Sequence, residues 1–144
     1  MKEKRASTSN LICMALACTL GHVMLDVENL DRSLDFYEGV LGLSVQYSEE
    51  LDGSRIAYVR GDTTEMMLIE HDEPLLTPSA YRGGIVLGFR SQSLFAVLSN
   101  ARQAECEILR EPDLTSSGPQ SILLADPDGY AILVVSEIRM IDTQ

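Results

Sequence analysis

Histidine and carboxylate side chains are the groups in this sequence best suited to acid–base catalysis. The sequence contains two histidines, His22 and His71. Residues 19–28 alternate between apolar and polar types, which predicts a strand with His22, Met24 and Asp26 on one face. An imidazole and a carboxylate on one face could transfer a proton. At roughly 3.3 Å per residue, His22 and Asp26 lie about 13 Å apart, so only a bound ligand could bridge them.

Nucleophilic side chains show no catalytic pattern in the sequence. Serines and threonines fall in the N-terminal segment and in loops such as the one around Ser116 and Ser117, with no histidine spaced to activate them. His71 is followed by Asp72 and Glu73, which predicts an exposed loop residue. No nucleophile arrangement therefore stands out in the sequence.

Composition excludes several classes of protein. The chain has 144 residues, is 45% hydrophobic, and contains no apolar run near the roughly 20 residues that a membrane span needs. Its 22 acidic residues against 11 basic ones give a net charge of -11, which repels nucleic acid. The odd number of cysteines, without zinc spacing, is typical of reduced thiols and predicts a cytoplasmic protein: Cys13, Cys18 and Cys106.

The first half of the chain is predicted to form one strand, one helix and three further strands. Asn29 is a typical helix N-cap, and Gly42 is placed to end the helix. Between them one apolar stripe extends over about three helical turns, formed by Leu30, Leu34, Tyr37 and Leu41. Strands follow at LSVQYS, RIAYVR and EMMLIE, the first two joined by a turn at Asp52-Gly53.

The second half repeats this pattern. Leu25 corresponds to Leu87 and Val27 to Phe89, an offset of 62 residues. A strand at GIVLGF precedes a helix capped by Ser91 or Ser93, and strands follow at ECEILR, SILLA and YAILVVSE. The last two are joined by a turn of sequence DPDG at residues 126–129.

The segment HVMLDVENLDRSLDFYEGVLGL at residues 22–43, together with the DPDG turn, resembles the vicinal oxygen chelate superfamily, which includes glyoxalases, bleomycin-resistance proteins and extradiol dioxygenases. The resemblance implies an α+β fold of two βαβββ modules, which form a cup-shaped mixed sheet with helices on the outer face and the ligand in the cup. It places these modules at residues 19–73 and 83–140, joined by a linker at residues 74–82. Residues 1–18 would be a tail or added segment, and residues 141–144 a C-terminal tail.

The resemblance also identifies candidate metal ligands, because metal-dependent members place a histidine on the first strand of a module and a glutamate on the last. His22 matches the first position, whereas Gly84 and Leu133 occupy the two positions of the second module. The carboxylate position of the first module falls on Leu68 or Glu70, which share a strand face. Two ligands at most, His22 and Glu70, would hold a divalent ion poorly, so we expect no cofactor.

A leucine in place of a metal-binding carboxylate makes the cup more apolar, which favours a site for a small organic molecule. Met24 and Met66 would add adaptable surface, and Met67 is expected in the core. Tyr47 and Tyr58 could stack on a flat ligand or pack within the protein. The predicted ligand-binding residues are His22, Met24, Asp26, Tyr58, Met66, Leu68, Glu70 and Leu133.

Three functions fit these patterns. The leading hypothesis is a metal-independent protein that binds a drug or metabolite, similar to the bleomycin-resistance proteins and therefore able to serve antibiotic resistance. The acidic surplus would favour a cationic ligand. The alternative is a metal-dependent lyase, dioxygenase or epimerase with a partial metal site at His22 and Glu70, and a third is an accessory module without a ligand. The resemblance implies a homodimer, with no nucleic-acid or membrane partner.

Overall fold

The computed structural model describes residues 18, 20–72, 84–115 and 117–137, which form eight strands and two helices. The predicted linker at residues 74–82, the C-terminal tail and the N-terminal segment apart from Cys18 lie outside the described residues.

The first module contains β1 (Val23–Asp26), α1 (Leu30–Gly39), β2 (Ser44–Leu51), β3 (Ser54–Arg60) and β4 (Glu65–Glu70). Its strands form one sheet in the order β1-β4-β3-β2, in which β1 runs parallel to β4 and the other neighbours are antiparallel. The helix therefore connects two strands at opposite edges of the sheet and covers one of its faces. This arrangement confirms the predicted βαβββ module.

The second module contains β5 (Val86–Ser91), α2 (Leu94–Gln103), β6 (Ile108–Arg110), β7 (Ser121–Ala125) and β8 (Ala131–Ser136). The order β5-β8-β7-β6 reproduces that of the first sheet, with the same parallel pair at one edge. The repeat seen in the sequence is thus a repeat of topology. Two mixed sheets and two helices confirm the predicted α+β fold class.

Helix α1 begins where the sequence predicts. The side-chain oxygen of Asn29 accepts a hydrogen bond of 2.9 Å from the backbone N–H of Arg32, which satisfies one of the free donors of the first turn. Helix α2 begins behind Ser93, whose side chain makes no such bond. Gly42 follows α1 with a φ of 76°, a conformation that glycine adopts at little cost.

Both helices pack into one hydrophobic core that spans the two modules. Leu25 and Leu68 contribute to it from the first sheet, Ile132 and Val134 from the second, and Leu98 from α2. Among the described residues, neither helix has the length and hydropathy that crossing a bilayer requires.

The DPDG turn of the second module holds the first module by hydrogen bonds. The Asp128 carboxylate accepts bonds from the backbone N–H of Glu28, at 3.0 Å, and from the hydroxyl of Ser33, at 3.2 Å. The Asp126 carboxylate accepts one from the Tyr37 hydroxyl. The two aspartates are therefore buried bridges between the modules, beyond the turn that their sequence predicts.

Candidate functional site

The two faces of the first sheet have different environments, and strand register assigns each residue to one of them. Leu25 pairs with Leu68 on the side of α1, whereas Met24 pairs with Met67 on the opposite side. We call this opposite side the open face. It carries Met24, Asp26, Tyr47, Glu49, Leu51, Ser54, Ile56, Tyr58, Met67 and Ile69.

The sequence-based prediction placed the wrong side chains of β4 on the open face, because its alternation was shifted by one residue. Met66 and Leu68 are only 2% and 0% exposed, and both belong to the core beneath α1. Met67 and Ile69 occupy the open face instead. The strand lies between two others and is apolar on both sides, so its alternation gives no signal for the face that meets the helix.

Glu70 also lies on the side of α1, away from the open face. One of its carboxylate oxygens accepts a hydrogen bond of 2.6 Å from the backbone N–H of Leu30, in the first turn of the helix. The guanidinium of Arg55 lies 3.6 Å from the same oxygen. Glu70 therefore stabilises the start of the helix, and the predicted metal pair of His22 and Glu70 is not brought together.

Within one chain, the described residues bring together fewer donors than the metal centre that the superfamily suggests. His22 is exposed and lines a cavity together with Glu65, which makes one histidine and one carboxylate. Among the residues that the structure describes, no three His, Cys, Asp or Glu side chains come close enough to hold an ion. Three protein ligands are usual for a catalytic divalent ion.

Apolar and aromatic side chains occupy much of the open face. Met24 is 53% exposed and Tyr47 is 55% exposed. The rings of Tyr47 and Tyr58 lie 5.6 Å apart at an interplanar angle of 35°. The Tyr47 hydroxyl donates a hydrogen bond of 2.9 Å to Glu49, and this bond raises the pKa of Tyr47.

A cavity of about 450 Å³ lies at the end of this sheet where β1 and β4 begin. Its volume suits a small organic molecule, since ligand pockets commonly measure a few hundred Å³ or more. The lining includes Met66, one of the predicted ligand-binding residues, although most of its side chain is buried. Aromatic, apolar and charged groups all contribute: His22, Gln46, Tyr58, Val59, Arg60, Glu65, Met66 and Met67.

A polar cluster lies at the other end of the same sheet, where β1 and β4 finish. The hydroxyl of Ser54 lies 3.2 Å from Nδ1 of His71, and Nε2 of His71 lies 3.6 Å from Oδ1 of Asp26. His71 lies outside the strands, as expected of a loop residue, but the expectation that it is exposed was wrong, since its side chain is only 21% exposed. The sequence-based interpretation did not include Ser54, which is separated from His71 by 17 positions.

The remaining predicted ligand-binding residues lie on two different sheets. Asp26 and Tyr58 lie on the open face of the first sheet, as does Met24. Leu133 lies in β8, paired with Leu123 and Gly88, on the face of the second sheet opposite to its core residues.

Comparison with known proteins places this arrangement in a family. The model of the Glyoxalase/Bleomycin resistance protein/Dioxygenase superfamily matches residues 19–134. Lactoylglutathione lyases of two Neisseria meningitidis strains, of serogroups A and B, are 28% identical over 117 residues, which cover 77% of this chain and 85% of each relative.

Solved structures share the fold at low sequence identity. A fosfomycin resistance protein from Listeria monocytogenes superposes with a TM-score of 0.70 at 16% identity, covering 86% of this chain and 94% of the other. Glyoxalase I of Leishmania major has a TM-score of 0.66 at 21% identity, covering 84% and 88%. The family match covers most of the chain and agrees with the repeated topology. The chain is a member of the Glyoxalase/Bleomycin resistance protein/Dioxygenase superfamily.

Proposed function

We propose that this protein binds a small, partly apolar molecule on the open face of the first sheet, without a metal ion. The observation that carries this proposal is the exposed apolar surface of Met24 and Tyr47 beside the cavity of about 450 Å³. A concave, largely apolar site with a few polar groups is typical of small-molecule binding. The thioethers of Met24 and Met67 could adapt to ligands of different shape.

Charge favours a cationic ligand over an anionic one. Glu49 and Asp26 lie on the open face, and Glu65 lines the cavity beside it. Arg60, the basic residue of the cavity lining, lies 4.0 Å from the Glu65 carboxylate and offsets its charge, so the negative charge of this face comes from Glu49 and Asp26. The chain as a whole carries a net charge of -11, which raises the local concentration of cations. Binding of cationic drugs would give the protein a role in antibiotic resistance.

The same proposal includes a homodimer. Exposed apolar residues lie in or beside β1 and β5, one edge strand of each sheet: Leu20, Met24, Ile85 and Val86. A second copy could cover part of this surface and complete the cup. Sedimentation velocity at micromolar concentration should give a dimer, which Val86→Lys should weaken. A wild-type monomer under these conditions would contradict this part of the proposal.

A second candidate is a metal-dependent lyase. It is favoured by the 28% identity to lactoylglutathione lyases. His22 and Glu65 line one cavity and could provide two ligands, with others contributed by a partner chain. Glu70, the carboxylate first considered for this role, binds the start of α1 instead.

Metal titration separates the two candidates. We expect calorimetry with Zn²⁺, Ni²⁺, Mn²⁺ and Fe²⁺ to show no stoichiometric binding tighter than about millimolar, because two ligands hold a divalent ion weakly. Elemental content of the purified protein should agree. Stoichiometric binding that disappears in His22→Ala would contradict metal independence and support the lyase.

Ligand binding is tested by thermal shift with cationic aromatic drugs, bleomycin among them, because a ligand that binds the folded state raises the melting temperature. Met24→Gln should weaken the affinity of a drug that binds by about tenfold, since it replaces apolar contact surface. Phe95→Gln is the matched control, because Phe95 is exposed on α2, away from the open face. Equal losses in both variants would contradict the assigned site.

A further inference from the structure

Asp26, His71 and Ser54 converge on the open face from three separate elements. Asp26 is the last residue of β1, His71 directly follows β4, and Ser54 is the first residue of β3. The distances are 3.2 Å from the Ser54 hydroxyl to Nδ1 of His71 and 3.6 Å from Nε2 of His71 to Oδ1 of Asp26. All three side chains are partly exposed, so a bound molecule could reach them.

The chemistry of the three groups gives the contacts a direction. Ser54 can donate its hydroxyl proton to Nδ1 of neutral His71. The other ring nitrogen, Nε2, then carries the hydrogen and faces the Asp26 carboxylate, which can stabilise a positive imidazolium. Hydroxyl, imidazole and carboxylate follow one another in the same order as in activated serine nucleophiles, which are recognised by geometry on unrelated folds. The two ring nitrogens are exchanged relative to that template, in which Nε2 faces the hydroxyl and Nδ1 faces the carboxylate.

The backbone around Ser54 holds the hydroxyl in place. Ser54 follows the tight turn at Asp52-Gly53, in which both residues have positive φ, and pairs with Leu51 across the hairpin. The Asp72 carboxylate lies against Gly53, so the segment after β4 packs on this turn. Two neighbouring strands therefore fix the relative position of Ser54 and His71.

Apolar side chains lie beside the cluster on the same face. Ile56 is two residues from Ser54 along β3 and pairs with Ile69 of β4. Both isoleucines are buried yet stand apart from the core beneath α1. Leu51, which pairs with Ser54 across the hairpin, is 56% exposed and could contact an apolar acyl group whose carbonyl carbon meets the Ser54 hydroxyl.

We propose that Ser54 is a nucleophile, activated by His71 and oriented through Asp26, that cleaves a small carboxylic ester or thioester held on the open face. The proposal depends on the proposed function for the place where the substrate binds. This proposal goes beyond the proposed function because it assigns a covalent reaction and the three residues that perform it.

The reaction balances with water as its only co-reactant. The Ser54 oxygen forms a bond to the substrate carbonyl carbon while His71 takes the hydroxyl proton. The bond from this carbon to the leaving oxygen or sulfur breaks, and the leaving group takes the proton from His71. Water then attacks the acyl-serine and gives a proton to His71. The carbon–oxygen bond to Ser54 breaks, the acid leaves, and Ser54 recovers its proton.

Covalent labelling tests the nucleophile directly. The full-length protein is incubated with an alkyl fluorophosphonate, and the modified residue is located by peptide mass spectrometry. We expect a single label on Ser54, absent in Ser54→Ala and unchanged in Ser44→Ala. Ser44 is the matched control, since it also begins a strand of the first sheet but its hydroxyl contacts the backbone oxygen of Arg60.

The rate of labelling tests the roles of His71 and Asp26. His71→Ala should slow it by at least about tenfold, and added imidazole should restore part of the rate, which a purely structural role would not allow. Asp26→Asn should slow it while circular dichroism stays unchanged. Absence of any label, a label on another serine, or a rate in His71→Ala equal to the wild type would overturn the proposal.

The two proposals can fail separately. Drug binding in the thermal-shift assay without labelling of Ser54 would overturn the nucleophile and leave the proposed binding function standing. Labelling of Ser54, with hydrolysis of a p-nitrophenyl ester that Ser54→Ala abolishes, would support the nucleophile even where no drug binds.

Discussion

The hydroxyl of Tyr37, in helix α1 of the first module, donates a hydrogen bond of 2.7 Å to Oδ2 of Asp126, in the DPDG turn of the second. Tyr37 is 0% exposed and Asp126 is 5% exposed. The other oxygen of Asp126 accepts backbone hydrogen bonds from Asp128, at 2.9 Å, and Tyr130, at 2.8 Å. Burial raises the pKa of both Tyr37 and Asp126. This pair joins the modules through the interior of the protein.

Removal of the Tyr37 hydroxyl should therefore destabilise the fold. Tyr37→Phe keeps the ring in the core but removes the hydroxyl that donates a hydrogen bond to the buried Asp126 carboxylate. We expect a loss of about 1–3 kcal/mol in the free energy of unfolding, measured by urea denaturation. Tyr47→Phe is the control, because the Tyr47 hydroxyl bonds Glu49 at the surface and should contribute little. Equal effects would contradict the bridging role.

Asp126 should also make stability depend on pH. Burial, the largest cause, raises the pKa of its carboxyl above the ordinary value of 3.8, although hydrogen bonds from Tyr37 and the backbone oppose the shift. Between the ordinary and the raised pKa, the folded state retains a proton that the unfolded state releases. This contribution is full below the ordinary pKa and is lost as pH rises through the raised one.

The comparison of wild type with Asp126→Asn isolates this titration, because the other carboxyl groups cancel. The stability advantage of the wild type over the variant should be largest below the ordinary pKa of 3.8 and should decrease as the pH rises through the raised pKa. Urea denaturation at several pH values measures it. An advantage that grows with rising pH would show that the folded carboxyl has a lowered pKa.

Helix capping gives a prediction from a single hydrogen bond. Asn29→Ala removes the bond to the backbone N–H of Arg32 and should lower the free energy of unfolding by about 1 kcal/mol. Ser93→Ala occupies the matching position before α2 but removes no capping bond, so it should have a much smaller effect. Thermal or urea unfolding of both variants measures the difference. A Ser93→Ala loss as large as that of Asn29→Ala would contradict it.

Local sequence patterns predict much of this fold and less of its site. The turn at Asp52-Gly53 and the limits of β4 agree with the structure because they depend on neighbouring residues. The predicted face of each β4 side chain does not agree with the structure, because adjacent apolar residues such as Met66 and Met67 are equally suited to either side. Only pairing with β1 and β3 decides which methionine meets the helix.

The cluster around His71 illustrates a second reason why the sequence did not predict the site. Its partners come from the start of β3 and the end of β1, and Asp26 lies 45 positions earlier in the chain. Acidic neighbours in sequence predicted a solvent-exposed histidine, whereas the order and direction of the strands bring Asp26 and Ser54 to the same end of the sheet. Contacts between distant segments depend on topology, which a local pattern does not encode.

Gly53 connects the geometry of the turn to that of the cluster. Its φ of 81° lies in the left-handed region, where a side chain costs about 1–2 kcal/mol, and an added methyl group would collide with the Asp72 carboxylate. Gly53→Ala should therefore lower the free energy of unfolding by about this amount. Because Asp72 adjoins His71, its displacement should also slow fluorophosphonate labelling of Ser54.

Gly39→Ala is the matched substitution with the opposite expected sign. Gly39 ends α1 with a φ outside the left-handed region, and an added methyl group meets no atom within 4 Å. It should raise the free energy of unfolding by about 0.5–1 kcal/mol and leave labelling unchanged. Urea denaturation and timed mass spectrometry on both variants give the two readouts. If Gly53→Ala destabilised the protein yet labelling proceeded at the wild-type rate, the turn would contribute to stability without positioning Ser54.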